Sequence, residues 1–174
     1  MRRVVVTGIG IVSSIGNNTK EVYNSLIHGK SGITKNEDMA SYGFRSQIAG
    51  NIKLDVSEHV DKRSLRFMGP GAAYAHIAME QAINDSGLTE HEVSNIRTGL
   101  VAGSGGPSTS AMLTAHQTVL KNSSPKRIGP FAVPTCMSST ISANLATAYK
   151  IKGINYSITS ACSTSLHCLS LIHI

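Results

Sequence analysis

Residues 155–168 join a short predicted strand, a cluster of small side chains and a helix, and this junction constrains the fold most. Tyr156, Ile158 and Thr159 favour a strand, and a helix is expected to begin at Cys162. A sharp turn from strand to helix holds a nucleophile on a rigid, uncrowded corner. The free N–H groups of a helix start favour negative charge on the sulfur and on a carbonyl oxygen that it attacks. Cys162 is therefore a candidate nucleophile, and a small buried cysteine that follows a strand is the alternative.

The rest of the chain alternates predicted strands with predicted helices. Strands are expected at 3–8, where nearly all residues are apolar and β-branched, and at 97–103. Residues 31–60 lack a clear period and are interpreted as loop-rich. Helices are expected over 19–28, 70–86, 108–121 and 138–150. This alternation predicts an α/β fold with a largely parallel or mixed sheet flanked by helices.

The predicted helix over 70–86 has a thin face that suits close contact with another segment. Pro70 is acceptable in its first turn, and Gly87 is expected to end it. The small residues of this face are Ala72, Ala75, Ala78 and Ala82.

Composition indicates that much of this chain is buried against something else. Charged residues are 15% of the chain, against roughly 25% in soluble domains, while hydrophobic residues are 41%. We find no apolar run long enough for a transmembrane helix and no signal-peptide pattern. Three cysteines without a Cys-x-x-Cys pair argue against disulfides and against a zinc site. The reducing cytoplasm is the expected location, and no metal is expected.

Four segments carry a resemblance to a known family, and they occur in the family's order. The segment Ser-Ile-Thr-Ser-Ala-Cys-Ser-Thr-Ser at 157–165 resembles the active-site segment of the β-ketoacyl synthases, the condensing enzymes of fatty-acid synthesis. Residues 4–13, 99–106 and 138–146 resemble the family's opening strand, its glycine-rich loop and the helix before the nucleophile strand. Within the family, the likeness is greatest to the bacterial synthase I group.

The resemblance implies a thiolase-like layered fold of two similar halves, with residues 1–174 as the N-terminal half. We therefore expect a truncated chain that lacks the C-terminal half and its two active-site histidines. The implied activity is that of a 3-oxoacyl-acyl carrier protein synthase without a cofactor. Cys162 takes an acyl group from a thioester and condenses it with malonyl-acyl carrier protein, with loss of CO2. We expect that this fragment alone does not complete the reaction, and that the full-length protein is a homodimer.

The resemblance also implies roles for residues outside the nucleophile segment. Met137 occupies a position that resembles the wall of the family's acyl pocket, although a core methionine is an alternative. The resemblance implies an acidic acyl carrier protein as partner, and the formal net charge of +6 agrees with this, although a merely solvated basic surface is the alternative. Nucleic acid is not expected, since no nucleic-acid module is recognisable, and no membrane partner is expected. The residues expected to bind the carrier protein are Lys62, Arg63, Arg66, Lys121, Lys126 and Arg127.

The sequence also allows three alternatives to a condensing enzyme. The first is a truncated fragment without catalytic activity. The second is a thiol-dependent hydrolase, which needs a histidine base; His167 lies five residues after Cys162 and is expected to point away from it. The third is a dinucleotide site at Gly8-Ile9-Gly10, which is disfavoured because Ser13 replaces the third glycine of that motif.

Overall fold

A computed structural model describes residues 3–174, which form helices of different lengths and two small sheets. The strands are β1 (Ile33–Lys35), β2 (Ile48–Gly50), β3 (Leu100–Gly103) and β4 (Asn155–Ile158). The first helices are α1 (Thr19–Ile27), α2 (Glu37–Ser41), α3 (Lys62–Leu65), α4 (Pro70–Ser86) and α5 (Glu90–Val93). The later helices are α6 (Thr109–Asn122), α7 (Ala132–Cys136), α8 (Thr140–Ala148) and α9 (Thr164–His173). Three 3₁₀ turns span Val56–Glu58, Pro125–Arg127 and Ala161–Ser163.

The two sheets differ in strand direction. Strands β1 and β2 are antiparallel, with Ile33 opposite Gly50, and they lie in the segment that the sequence predicted to be loop-rich. Strands β3 and β4 are parallel, with Leu100 opposite Asn155. The predicted parallel sheet is therefore confirmed in part, as a two-stranded pair that carries the nucleophile segment at its carboxyl end.

Helix α8 connects the parallel pair to the hydrophobic core. It packs against α4 on one side and against β3 and β4 on the other. The hydroxyl groups of Ser142 in α8 and Ser157 in β4 are hydrogen-bonded to each other. The buried core lies around α4 and consists of Val60, Met68, Ala72, Ala73 and Ile77. The parallel pair therefore rests on a helix that is itself anchored in the core.

The prediction of a strand at 3–8 is wrong. These residues form no strand, and Val4, Val5 and Val6 are 42%, 62% and 77% exposed. A strand needs a hydrogen-bonded neighbour, and the segment that follows instead donates its N–H groups to side chains of α4. The Ile9 N–H donates to Asp85 Oδ2 at 2.9 Å, and the Ile11 N–H donates to Gln81 Oε1 at 3.1 Å.

Gly8 and Gly10 let this N-terminal segment contact the backbone of α4 directly. A Cβ added at Gly10 would overlap the carbonyl group of Ala78, and one added at Gly8 would overlap the carbonyl oxygen of Ala82. The predicted contact face of α4 is thus confirmed at Ala78 and Ala82. The two glycines serve helix packing here, which gives them a role other than phosphate binding.

The chain exposes far more surface than a compact monomer of its mass. Its accessible area is 12,229 Å². A folded monomer of 18.4 kDa is expected to expose about 8,200 Å². The excess agrees with the low charge content and with the many large apolar side chains at the surface. None of the helices in residues 3–174 combines the length and apolar character needed to cross a bilayer.

Tyr149 makes the stability of the folded chain depend on pH in the alkaline range. Its hydroxyl donates to the His76 carbonyl at 3.3 Å, and its ring lies 5.3 Å from the His76 ring. Burial, with a smaller contribution from the Glu80 charge, raises the pKa of Tyr149 from 10.0 to about 12. Because the folded state favours the neutral phenol, this stabilisation is complete below pH 10 and is lost as the pH rises through 12.

We therefore expect the free energy of unfolding to fall between about pH 10 and 12 in urea titrations. Tyr149→Phe should remove the part of this fall in stability that Tyr149 causes. It should also remove one high-pH step from the absorbance titration of the phenolates. The same slope in the phenylalanine variant would contradict this assignment.

Candidate active site

Cys162 lies at the turn between strand β4 and helix α9, at the carboxyl end of the parallel pair. It occupies the 3₁₀ turn Ala161–Ser163 and is an exposed residue. The α-helix begins at Thr164, two residues after the predicted start. The expected strand-to-turn-to-helix arrangement is therefore present, with one short turn between strand and helix.

Ala161 accounts for the difference from the predicted helix start. Its φ is +48°, in the left-handed region, so the chain cannot enter an α-helix at this residue. This conformation costs a residue with a Cβ about 1–2 kcal/mol. Such strain persists where the surrounding contacts hold it and occurs preferentially at functional sites. The strained residue directly precedes the exposed thiol.

The glycine-rich loop that follows β3 passes close to this turn. A Cβ added at Gly105 would lie 3.1 Å from the Ala161 carbonyl oxygen. One added at Gly103 would overlap the Ile158 carbonyl oxygen and would lie 2.6 Å from Cγ2 of Thr164. The glycines of the 99–106 motif thus allow the two parallel segments and the turn to approach each other.

The backbone around Cys162 offers a hydrogen-bond donor. The Ser163 N–H donates to the Ser160 carbonyl at 3.0 Å, whereas the Cys162 N–H donates no hydrogen bond within the described residues 3–174. A free N–H beside a nucleophile can bind the oxyanion that forms when a carbonyl is attacked. The arrangement can therefore support nucleophilic attack on an acyl group and stabilise the resulting charge.

Met137 lies beside a cavity that reaches the same glycine-rich loop. This cavity has a volume of about 240 Å³, and Ser104, Gly106 and Met137 are among the residues that line it. Cys162 is not among its lining residues, so the structure does not place Met137 and the thiol in one cavity. Met137, 48% exposed, also lines an apolar cleft of about 300 Å³ beside Phe67.

The first basic group lies on and just after α3. Lys62, Arg63 and Arg66 are all exposed. Asp61 caps this helix, and its hydrogen bonds, first to the Ser64 hydroxyl and then to the backbone, hold the pKa of that carboxyl below its usual value. The capping carboxylate thus stays ionised beside the three cations.

The second basic group surrounds the carboxyl end of α6. Lys121 and Arg127 line one surface concavity of about 440 Å³, which brings together two cations that are six residues apart. Lys126 lies between them in sequence, in the turn Pro125–Arg127, and is exposed. Each of the two predicted basic clusters is therefore a surface feature.

The other predicted features are also located by the structure. Cys136 ends α7 and Cys168 lies within α9; both are half-buried, unlike Cys162. His167 lies on α9 and is exposed. The sequence marked Ala161 as a small neighbour of Cys162, but its positive φ and the role of Thr164 were not predicted, because an alanine gives no sign of a positive φ. Gly103 and Gly105 lie in the segment 99–106, which resembles the family's glycine-rich loop, but the contacts that require them were not predicted.

Two solved ketosynthase structures are similar in fold to this chain. A β-ketoacyl synthase from Burkholderia phymatum matches with a TM-score of 0.81 at 24% identity, over 98% of this chain and 42% of that one. A ketosynthase in complex with a type II polyketide acyl-carrier protein matches with a TM-score of 0.72 at 18% identity, over 98% of this chain and 45% of that one. These likenesses establish the fold of the chain as that of a ketosynthase.

The sequence itself establishes the family. Residues 1–173 match the family described as β-ketoacyl synthase, N-terminal domain, and the chain belongs to this family. A Haemophilus influenzae protein named 3-oxoacyl-(acyl-carrier-protein) synthase 1 is 54% identical over 169 residues. The match covers 97% of this chain and 42% of that protein. The chain therefore spans less than half the length of this relative.

Proposed function

We propose that this chain supplies the nucleophile of a 3-oxoacyl-acyl carrier protein synthase in fatty-acid biosynthesis. The observation that carries the proposal is the exposed Cys162, set after a left-handed Ala161 at the end of β4. Membership of the β-ketoacyl synthase family and the printed name of the Haemophilus influenzae relative support it.

The proposed first step transfers an acyl group from a thioester to the protein. The Cys162 thiol loses its proton to solvent, and the thiolate attacks the acyl carbonyl. The carrier sulfur leaves as a thiolate that takes up a proton from solvent, so a new thioester forms on Sγ. The free Cys162 N–H is the donor in this chain that supports binding of the developing oxyanion. In the second step, a malonyl thioester loses CO2, and the resulting enolate attacks the acyl group and releases the Cys162 thiolate.

We further infer that residues 1–174 act as the N-terminal part of a longer, thiolase-like and dimeric protein. The large excess of exposed surface and the 42% coverage of the relative support this inference. The apolar cleft beside Met137 is proposed to receive the acyl chain, since a flexible thioether adapts to an alkyl group. On this proposal the 174-residue chain performs acyl transfer to Cys162 without completing condensation.

Incubation with an acyl-coenzyme A thioester should convert the chain to a stable adduct with the mass of one acyl group. Peptide mapping should locate the adduct on Cys162, because this is the exposed thiol. Cys162→Ser should abolish the adduct, whereas Cys168→Ser, at a half-buried thiol on the same helix, should keep it. An adduct on Cys136 or Cys168, or rapid release of free acid, would overturn the proposal.

We propose that an acidic acyl carrier protein docks on the two basic groups of this chain. All six cations are exposed: Lys62, Arg63, Arg66, Lys121, Lys126 and Arg127. One structural neighbour is described as a ketosynthase with its acyl-carrier protein, which agrees with a partner of this kind. Charges of opposite sign around a site accelerate and orient such encounters.

Reversal of Lys62, Arg63 and Arg66 to Glu should slow acylation of Cys162 by acyl carrier protein about tenfold or more at low salt. Acylation by acyl-coenzyme A should change less than about threefold, and the difference should shrink at high ionic strength. A control that reverses the exposed Lys20, Lys30 and Lys152 changes the net charge equally. Equal losses with both acyl donors, or equal losses in the control, would refute docking at the first basic group.

A further inference from the structure

Thr164 is a buried residue whose side chain forms hydrogen bonds with the turn that carries Cys162. It is the first residue of α9 and is only 5% exposed. Its hydroxyl accepts from the Ser160 N–H at 2.9 Å and donates to the Ala161 carbonyl at 2.8 Å. One side-chain oxygen therefore bridges the N–H of the residue before Ala161 and the carbonyl of Ala161 itself.

The geometry points to Thr164 as the positioning residue of the Cys162 nucleophile. By holding Ala161 at φ +48°, its hydroxyl fixes the direction of the next residue, and with it Sγ and the Cys162 N–H. This inference rests on the proposed role of Cys162 as an acyl acceptor. Thr164 itself touches no substrate in this role and acts through the backbone of the turn.

Ala161 needs such support because its conformation is unfavourable in isolation. An alanine relaxes readily to negative φ, and rotation at this residue would reorient everything from Cys162 onwards. The Ser163 N–H bond to Ser160 closes the turn, but it does not bond Ala161. The Ala161 carbonyl accepts from both the N–H and the hydroxyl of Thr164. Of these two donors, only the hydroxyl also accepts from the Ser160 N–H, so it connects the residues on both sides of the Ala161 φ angle.

Packing holds the Thr164 side chain in the orientation that makes these bonds. Its Cγ2 methyl faces Gly103 of β3, where an added Cβ would lie 2.6 Å away. With the methyl against the strand, the hydroxyl is directed at the turn. A β-branched hydroxyl residue therefore suits this position, since one branch packs and the other forms hydrogen bonds.

Thr164→Val tests the proposal, because it keeps the shape and removes the hydroxyl. We expect acylation of Cys162 by acyl-coenzyme A to slow at least about tenfold. Alkylation of Cys162 by iodoacetamide should slow at least about threefold, since the sulfur loses its fixed place near the backbone N–H groups. Thr164→Ser, which retains the hydroxyl, should bring both rates to within about twofold of the parent chain.

Thr98→Val is the matched control, because the Thr98 hydroxyl also donates to a backbone carbonyl, that of Glu92, outside the turn. It should leave both rates unchanged. The proposal would be overturned if Thr164→Val were acylated and alkylated at the rates of the parent chain. It would also be overturned if Thr164→Ser were as slow as Thr164→Val. If the parent chain is alkylated at Cys162 but never acylated, the proposed function fails, and the alkylation rates alone decide the role of Thr164.

Discussion

Gly103→Ala is expected to destabilise the chain and to disable the Cys162 turn together. Gly103 ends β3, where an added Cβ would overlap the Ile158 carbonyl oxygen and lie 2.6 Å from Cγ2 of Thr164. The first neighbour is backbone of the paired strand, and the second is a buried β-branched side chain, so neither yields without moving β4 or α9. We expect the free energy of unfolding to fall by about 3 kcal/mol, which is at the upper end of the cost of overpacking a core.

Urea unfolding followed by far-UV circular dichroism measures this loss, which corresponds to a fall in Tm of roughly 6–12 °C. Acylation of Cys162 should also slow in the fraction that remains folded, because the displaced Thr164 no longer supports the turn. Gly106→Ala is the matched control in the same loop, since an added Cβ there meets nothing within 4 Å. Equal stability and equal acylation in the two variants would contradict the close packing at Gly103.

Helices with local start and stop signals could be predicted closely from the sequence. The helix predicted at 19–28 is α1, Thr19–Ile27, and the Asn18 side chain caps it by accepting from the Glu21 N–H at 3.0 Å. The helix predicted at 70–86 has these same bounds, with Gly87 at φ +70° after its last residue. Capping and termination depend on a few neighbouring residues, so the sequence pattern carries them.

Strand pairing depends on residues that are far apart in the chain, and the strands were predicted less well from the sequence than the helices. Residues 3–8 have the composition of a buried strand, yet no described segment pairs with them. The pair β1–β2, by contrast, lies where no period was visible. A strand is stabilised by neighbours that its own sequence does not specify, so a run of valines indicates strand propensity without its partner.

The candidate site also combines features that the sequence predicted with features that it did not. Cys162 was recognisable because small residues follow a predicted strand and because residues 157–165 resemble the active-site segment of the family, and the structure places it exposed at the corresponding turn. The left-handed Ala161 and the bridging hydroxyl of Thr164 were not recognisable. Their roles depend on backbone angles and on a hydrogen-bond geometry that only the folded turn creates.

Gly10→Ala is expected to separate the N-terminal segment from α4. An added Cβ would overlap the Ala78 carbonyl oxygen and lie 2.6 Å from the Ala78 carbonyl carbon. The helix backbone cannot yield, so the segment must move outwards and lose the Ile9 bond to Asp85 and the Ile11 bond to Gln81. Two lost hydrogen bonds at about 1 kcal/mol each, together with the steric cost, give a destabilisation of about 3 kcal/mol.

Hydrogen exchange can separate this effect from general unfolding. The Ile9 and Ile11 amides should lose protection in Gly10→Ala, while amides within α4 keep theirs relative to global stability. Gly71→Ala is the control within α4, because an added Cβ meets nothing there and alanine favours the helix by up to about 1 kcal/mol. If Gly10→Ala proves as stable as Gly71→Ala, or if its Ile9 and Ile11 amides stay protected, residues 8–11 do not lie against α4 as described. In that case the exposed valines before them would be free to join a sheet, as their composition predicts.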